Sequence, residues 1–284
     1  MILLTGATGT TGTPTVARLR AINVPFRIMS RDVARARRQF GEDLEYVEGD
    51  FARPESLGAA FEGIETLSLL CAFSEAMVGL ELNAVEAAKR AGIRRIVKMS
   101  AIKAAPDAPT TIRRWHGVIE QRINESGIAY THLWPNAFMQ NFRRFAPLIR
   151  ERGEFHAPVG DARISLVEIE DVAAVTVAAL VEDGHEGETY EITGPEAVSY
   201  AECAAILSEE LGREVRYVSV SDEEARAALG AAGIGPEAAH ALVEIDGLFR
   251  TGFGAPVTDV VERVTGRSPR DFRTFARENA ALFR

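Results

Sequence analysis

Three glycines near the start of the chain, Gly6, Gly9 and Gly12, are spaced G-x-x-G-x-x-G within Thr5-Gly6-Ala7-Thr8-Gly9-Thr10-Thr11-Gly12-Thr13-Pro14. Glycines so placed do chemistry through the backbone. A pyrophosphate needs bare N–H groups at contact distance and the positive end of a helix dipole, and a Cβ at Gly6 or Gly9 would block that approach. Gly12 lets the next helix lie close on the sheet, and Pro14 falls in a first turn, where its missing N–H costs nothing. The apolar run Met1–Leu4 precedes the glycines and Thr15–Arg20 follows them. That order of strand, turn and helix is the context a dinucleotide site requires; without a ligand the same letters are a glycine-rich turn.

A second cluster speaks to which dinucleotide. The strand that should follow ends Ile28-Met29-Ser30-Arg31, with no carboxylate before Asp32, and Arg35, Arg37 and Arg38 come next. An acidic residue at this point accepts from a ribose 2′-OH, whereas a 2′-phosphate needs cations, and guanidinium forks pair with phosphate bidentately. Arg31 and Arg35, beside Ser30, therefore predict NADP(H) over NAD; Arg37 and Arg38 read as a solvated helix face. Asp50 and Phe51 close the third strand, where the Asp either reaches an adenine amino group, with Phe51 packing on the ring, or merely forms the turn. Leu70-Cys71-Ala72 and Met99-Ser100 end the fourth and fifth strands and should border the nicotinamide. Cys71 reads as an inert buried thiol.

The acid is harder to find. Many reductases of ketones use Tyr-x-x-x-Lys, in which the lysine lowers the tyrosine pKa. Here Tyr46, Tyr130, Tyr190, Tyr200 and Tyr217 are followed four residues later by Asp50, Trp134, Gly194, Ala204 and Ser221. The helix that would carry such a pair has His116 instead, with Glu120 four positions on and so on the same face. His116 is the candidate proton donor, with Glu120 to hold its tautomer; the plainer reading is a surface pair. None of the five histidines shows metal-ligand spacing and no G-x-S-x-G elbow occurs, so no metal is expected.

These residues need a scaffold. The 284 residues suffice for one large domain with an added lobe, and 46% apolar with 26% charged content is ordinary for a folded chain. Net charge −9 predicts no nucleic-acid partner and no attraction to an anionic membrane. Two dispersed cysteines, no export signal after Met1 and no apolar run near the ~18 residues of a membrane span point to a cytoplasmic protein. Up to about residue 135, short apolar runs alternate with amphipathic ones, as in βαβ units. The strands predicted are Ile2–Thr5, Phe26–Ser30, Leu44–Glu48, Thr66–Cys71, Arg95–Ser100 and Ala129–Trp134, with one more at Thr189–Ile192. Between the first six run helices at Thr13–Ala21, Val33–Phe40, Pro54–Ala60, Ser74–Ala91 and Thr111–Ser126. After Pro135 the rhythm changes: a helix over Phe138–Arg152, a loop from Gly153 to Arg163, a helix over Ile169–Val181, then mostly helices. The fold class expected is α/β, a doubly wound parallel sheet of Rossmann type with helices on both faces and a small, mobile, mostly helical C-terminal lobe over the sheet's carboxyl edge. The boundaries expected are 1–152 and 164–192 for the NADP-binding domain, 153–163 and 193–284 for the substrate lobe.

Taken together, these segments resemble the NmrA-like group of atypical short-chain dehydrogenase/reductases, near its quinone oxidoreductase and triphenylmethane-dye reductase branch. The similarity rests on TGATGTTG, Ser30-Arg31 with Arg35, Gly49-Asp50-Phe51, Pro54-Glu55-Ser56-Leu57, His116, Ser126–Thr131, Asn136–Asn141 and Gly184–Tyr190. It implies NADP(H) on Gly6, Thr8, Gly9, Thr10, Thr11, Gly12, Pro135 and Asn136, with Trp134, Phe138 and Asn141 toward substrate. It also implies direct hydride transfer, without flavin, to a conjugated small molecule such as a quinone, dye or enone. Such an acceptor is already electrophilic and needs little help from an enzyme acid. Two other readings go with the resemblance: an NADP(H) sensor without turnover, and a biosynthetic enone or imine reductase in which His116 is the proton donor. Relatives usually carry Arg where Trp134 stands, which leaves substrate identity open, and homodimerisation is left open as well.

Overall fold

The structure is a computed structural model describing residues 1–284. In chain order the first elements are β1 (Ile2–Leu4), α1 (Gly12–Ala21), β2 (Phe26–Ser30), α2 (Val33–Phe40), β3 (Glu45–Glu48), α3 (Leu57–Phe61), β4 (Thr66–Leu69), α4 (Met77–Ala91), β5 (Arg95–Met99), α5 (Thr111–Glu125) and β6 (Ala129–Pro135). There follow α6 (Ala146–Arg152), β7 (Glu154–Ala157), β8 (Arg163–Ile164), α7 (Ile169–Val181), β9 (Thr189–Ile192), β10 (Val198–Ser199) and α8 (Tyr200–Leu211). The chain ends with β11 (Arg216–Ser219), α9 (Asp222–Ala231), α10 (Pro236–Phe249), α11 (Val260–Thr265), α12 (Phe272–Glu278) and α13 (Ala280–Phe283).

Seven strands form one sheet in the order β3-β2-β1-β4-β5-β6-β9. Pairing is parallel from β3 through β6. His132 N–H to Glu188 O and Asn136 N–H to Ile192 O, in rising register, add β9 in the same sense. Strands covered on both faces read as unbroken apolar runs, and Ile2, Leu3 and Leu4 are all buried. Strand order reverses between β1 and β4, so the crevice that binds ligands in such sheets opens beside the carboxyl ends of these two strands. The doubly wound parallel sheet was legible in the alternation of patterns.

The chain divides into two compact units: Met1–Pro109 with Arg113–Trp134 and Val172–Glu191, and Thr110–Ile112 with Pro135–Asp171 and Ile192–Arg284. The first has a core of Leu3, Phe61, Leu67, Leu69, Ile96, Ile119 and their neighbours. The second has an aromatic core in which Phe142 contacts Phe145, Phe155, Tyr200 and Phe272 at centroid distances of 5.6, 5.4, 5.0 and 4.7 Å. Residues 135–152 and 164–171 belong to the second unit, whereas the sequence reading grouped them with the nucleotide domain. The segment read as a loop after Gly153 holds β7, which pairs in parallel with β11. Gly153 to Arg163 was misread because Phe155 and Ala157 are its only inward side chains before a turn. The expected helix over Phe138–Arg152 is a 3-10 stretch, Met139–Phe145, followed by α6.

Candidate active site

The turn between β1 and α1 has the geometry its glycines imply. Gly6 sits at φ +63°, and a Cβ there would also lie 2.8 Å from Leu70 Cγ. A Cβ on Gly12 would stand 2.3 Å from the Gly6 carbonyl oxygen and 2.5 Å from Ala7 Cα. Gly9 is less constrained, its nearest contact being the Gly6 oxygen at 3.2 Å. Gly9 N–H donates to Gly6 O and Thr13 N–H to Gly9 O. Thr5 Oγ1 ties the end of β1 to β4 through Ser68 O (2.8 Å), Leu70 O (3.0 Å) and Leu70 N–H (2.9 Å). Thr8 is part-exposed and Gly9 and Thr10 are open to solvent. Thr11, the N-cap of α1, is buried and offers no side-chain cap. The Gly9 and Thr13 amides are thus engaged within the turn, while no side chain of Thr11 caps the others at the helix start, an arrangement that suits an anion.

At the end of β2, Asp32 N–H donates to Ser30 Oγ (3.1 Å) and Ser30 O–H to Asp32 O (2.9 Å). Asp32 caps α2, its carboxylate accepting from Arg35 N–H at 2.8 Å. The carboxylate that follows this strand is therefore engaged with the helix. Arg31 and Arg35 are exposed, and neither guanidinium meets an acceptor. Arg37 pairs with Glu42 at 2.5 Å and lies over the Tyr46 ring, as befits a surface face.

At the end of β3, Asp50 Oδ1 accepts from Ala52 N–H (2.9 Å) and Oδ2 lies 3.6 Å from Arg53, so Asp50 is a turn former here. Phe51 is buried in the first core and presents no stacking face. At the end of β4, Leu70 is part-exposed and Ala72 exposed. Burial, reinforced by Glu81, pushes the Cys71 thiol up to about 11, so it is inert at neutral pH.

Beneath these strand ends lies an arrangement that sequence reading missed. Lys98 on β5 and Glu81 on α4 are 0% and 1% exposed, with Nζ 2.9 Å from Oε2. Nζ also donates to Met99 O and approaches His116 Nδ1 at 3.2 Å. Glu81 Oε1 takes Cys71 N–H at 3.1 Å. Burial raises the Glu81 carboxyl, while Lys98 draws it back. Burial and then the Lys98 ammonium hold His116 well below 6.5, so the imidazole is neutral. One signal was available: Lys98 interrupts the apolar run of β5, and Glu81 stands in the Met77, Glu81, Ala84, Ala88 stripe of α4 that faces the core.

The expected His116–Glu120 pair does not form. Glu120 accepts from the hydroxyl of Ser100 and from Trp134 Nε1 at 2.7 Å, and burial raises its carboxyl. The two residues share a helix face, yet α5 packs so that Glu120 meets the ends of β5 and β6 while His116 meets Lys98. Trp134, predicted toward substrate, is thereby oriented by Glu120, and Met99, the register partner of Leu133, is buried. No group of three or more His, Cys, Asp or Glu side chains forms a metal site.

In the second unit, Asn136 is buried and hydrogen-bonded through both ends of its amide. Its Nδ2 donates to Ser165 Oγ (2.7 Å) and Gly254 O (2.9 Å), and Oδ1 accepts from Ala137 N–H (2.8 Å). Its carboxamide thus latches this unit, with both Nδ2 hydrogens committed. Pro135 is buried, Phe138 part-exposed and bridged to Val167 through the backbone, and Asn141 exposed.

Comparison with known proteins accords with this geometry. The chain is 40% identical over 283 residues to an NAD(P)H azoreductase of Xenophilus azovorans, covering 100% of this chain and 99% of that one. The Escherichia coli NADPH-dependent quinone oxidoreductase, solved with NADPH, superposes with TM-score 0.90 at 27% identity over 100% of both chains. The Citrobacter sp. triphenylmethane reductase, complexed with NADP(H), gives 0.86 at 26% identity, covering 98% of this chain and 99% of that one. The NmrA-like family model matches residues 1–270, and with the nucleotide turn and strand order described above, the chain belongs to the NmrA-like family.

Proposed function

We propose that the chain binds NADPH at the carboxyl edge of its sheet and passes hydride directly to a conjugated small molecule such as a quinone, dye or enone. Its family and its reductase relatives make it an NAD(P)H-dependent oxidoreductase. The first unit holds the cofactor: Gly6 and Gly12 allow the close turn, uncapped amides at the start of α1 face the diphosphate, and Arg31 with Arg35 take the 2′-phosphate. The observation that carries the reading is the contrast at the end of β2, where two guanidiniums lack acceptors and Asp32 is engaged in a cap. A phosphate supplies the missing acceptors, and a charged hydrogen bond contributes about 1.5–3 kcal/mol.

NADPH, when bound, supplies hydride from nicotinamide C4. The chain's part is to orient and to exclude water, and orientation lowers a barrier by roughly 7–11 kcal/mol. The second unit is assigned to substrate binding. No helix is long and apolar enough to cross a membrane, and we place the protein in the cytoplasm, with a small molecule rather than nucleic acid or membrane as its partner. Calorimetric titration with NADPH and NADH, followed by a panel of quinones, dyes and enones, tests the reading. Preference for NADPH with turnover of some acceptor supports it; tight NADPH binding with no acceptor reduced leaves a sensor instead.

A further inference from the structure

The unused feature of the molecule is the buried ion pair behind His116. An ammonium has three N–H donors and no lone pair. Lys98 meets three acceptors: the Glu81 carboxylate, the Met99 carbonyl and His116 Nδ1. Since Nζ has only hydrogens to offer, Nδ1 must be the bare nitrogen, and the ring proton of neutral His116 sits on Nε2. Nε2 has no partner in the protein and is not sealed from solvent. A buried cation thus fixes the one ring N–H of His116 on the nitrogen that has no protein partner.

We propose that His116 donates its Nε2 proton to the reduced acceptor while Lys98, held by Glu81, refills Nδ1, which fits the site to acceptors whose reduced form is too basic to leave as an anion, aryl azo compounds above all. This rests on the oxidoreductase reading above and deepens it. A quinone that takes hydride departs as a phenolate-like anion without enzyme help. An azo bond does not. One azo nitrogen takes hydride, forming N–H, and the π pair moves to the other nitrogen, which takes the proton from Nε2. Nδ1 takes a proton from Lys98, leaving a buried neutral amine; when product leaves, solvent reprotonates Nε2 and Nδ1 returns its proton to Lys98, which restores the starting tautomer. NADPH becomes NADP+ and the azo compound its hydrazine, so one proton is consumed in all. Lys98 and Glu81 are positioning residues; only His116 touches the acceptor.

Other titratable groups around Lys98 do not compete. His132 on β6 and Glu120 on α5 feel its charge but have other hydrogen-bond partners, and Cys71 stays a thiol. Removing one partner of a buried pair strands the other charge, so the test uses Lys98→Met combined with Glu81→Gln, in which Gln keeps an oxygen for the Cys71 N–H. With NADPH-loaded full-length protein, methyl red and menadione are the two acceptors. The ratio of their kcat values, azo over quinone, should fall at least about 30-fold in the double variant, within the range of general acid catalysis. In parallel, 15N spectra of the wild type should show His116 as the Nε2–H tautomer from pH 5 to 8, with mixed tautomers in the variant. An unchanged ratio overturns the proposal, as does a wild-type His116 protonated at Nδ1. A wild type that reduces neither acceptor overturns the oxidoreductase reading instead, and the spectra still decide the tautomer lock.

Discussion

A Cβ placed on Gly12 would lie 2.3 Å from the carbonyl oxygen of Gly6, inside the turn that starts α1. Two effects oppose each other in Gly12→Ala. Alanine improves helix propensity by at most about 1 kcal/mol, while the overlap falls on backbone atoms that cannot swing aside and costs about 3 kcal/mol. Overlap wins. The variant should lose about 2 kcal/mol of stability in urea unfolding, and its NADPH dissociation constant should rise at least about tenfold, since the turn that moves is the one proposed to face the diphosphate.

Arg31 stands without an acceptor beside the Ser30–Asp32 turn. Arg31→Ala should weaken NADPH binding by about tenfold or more, the equivalent of one charged hydrogen bond, and leave NADH affinity within about twofold. Titration calorimetry with both nucleotides reads the difference directly. Equal losses for the two would place the 2′-phosphate elsewhere.

Gly117 on α5 is the next residue after His116, and a Cβ there would meet Ala105 C at 2.0 Å and Pro106 N at 2.4 Å. The helix therefore touches the backbone of the β5–α5 connection directly. Gly117→Ala should cost about 2–3 kcal/mol of stability and shift the helix outward. Because that shift carries His116 away from Lys98, its 15N spectrum should show loss of the single tautomer.

His132 is 2% exposed, its Nε2 lies 2.9 Å from Asn124 Oδ1, and its Nδ1 has no partner. Burial, and then the Lys98 charge, lower its pKa to about 3. Below pH 6.5 the unfolded chain binds a proton that the folded ring refuses, so stability is full above pH 6.5 and falls on acidification until about pH 3. At pH 5 this one ring should account for about 2 kcal/mol. His116 contributes in the same direction. His132→Gln should flatten, without abolishing, the drop in melting temperature between pH 7 and pH 5.

Much of the scaffold was legible in the chain because its signals are local. The βαβ alternation, the glycine turn before Pro14 and the arginines after β2 each concern residues within one or two turns of each other. The sterics of a missing Cβ, or the charge at a strand end, do not wait on distant partners. The start of α8 is a local signal of the same kind, since Ser199 and Glu202 form a capping box.

What the residues alone determined, then, is an α/β nucleotide fold with a close glycine turn after its first strand and a cluster of arginines after its second. Tertiary structure decided the rest. Spacing put Glu120 and His116 on one helix face, but packing gave Glu120 to Ser100 and Trp134, and His116 to Lys98. Asn136 donates to Ser165 and to the distant Gly254, partners that no local pattern announces. Glu81, Lys98 and His116 come from α4, β5 and α5, and only the parallel sheet with helices on its face brings them within hydrogen-bond reach. Charges meet in three dimensions according to strand order and helix packing, and no periodicity along the chain encodes which distant partner a buried group will find.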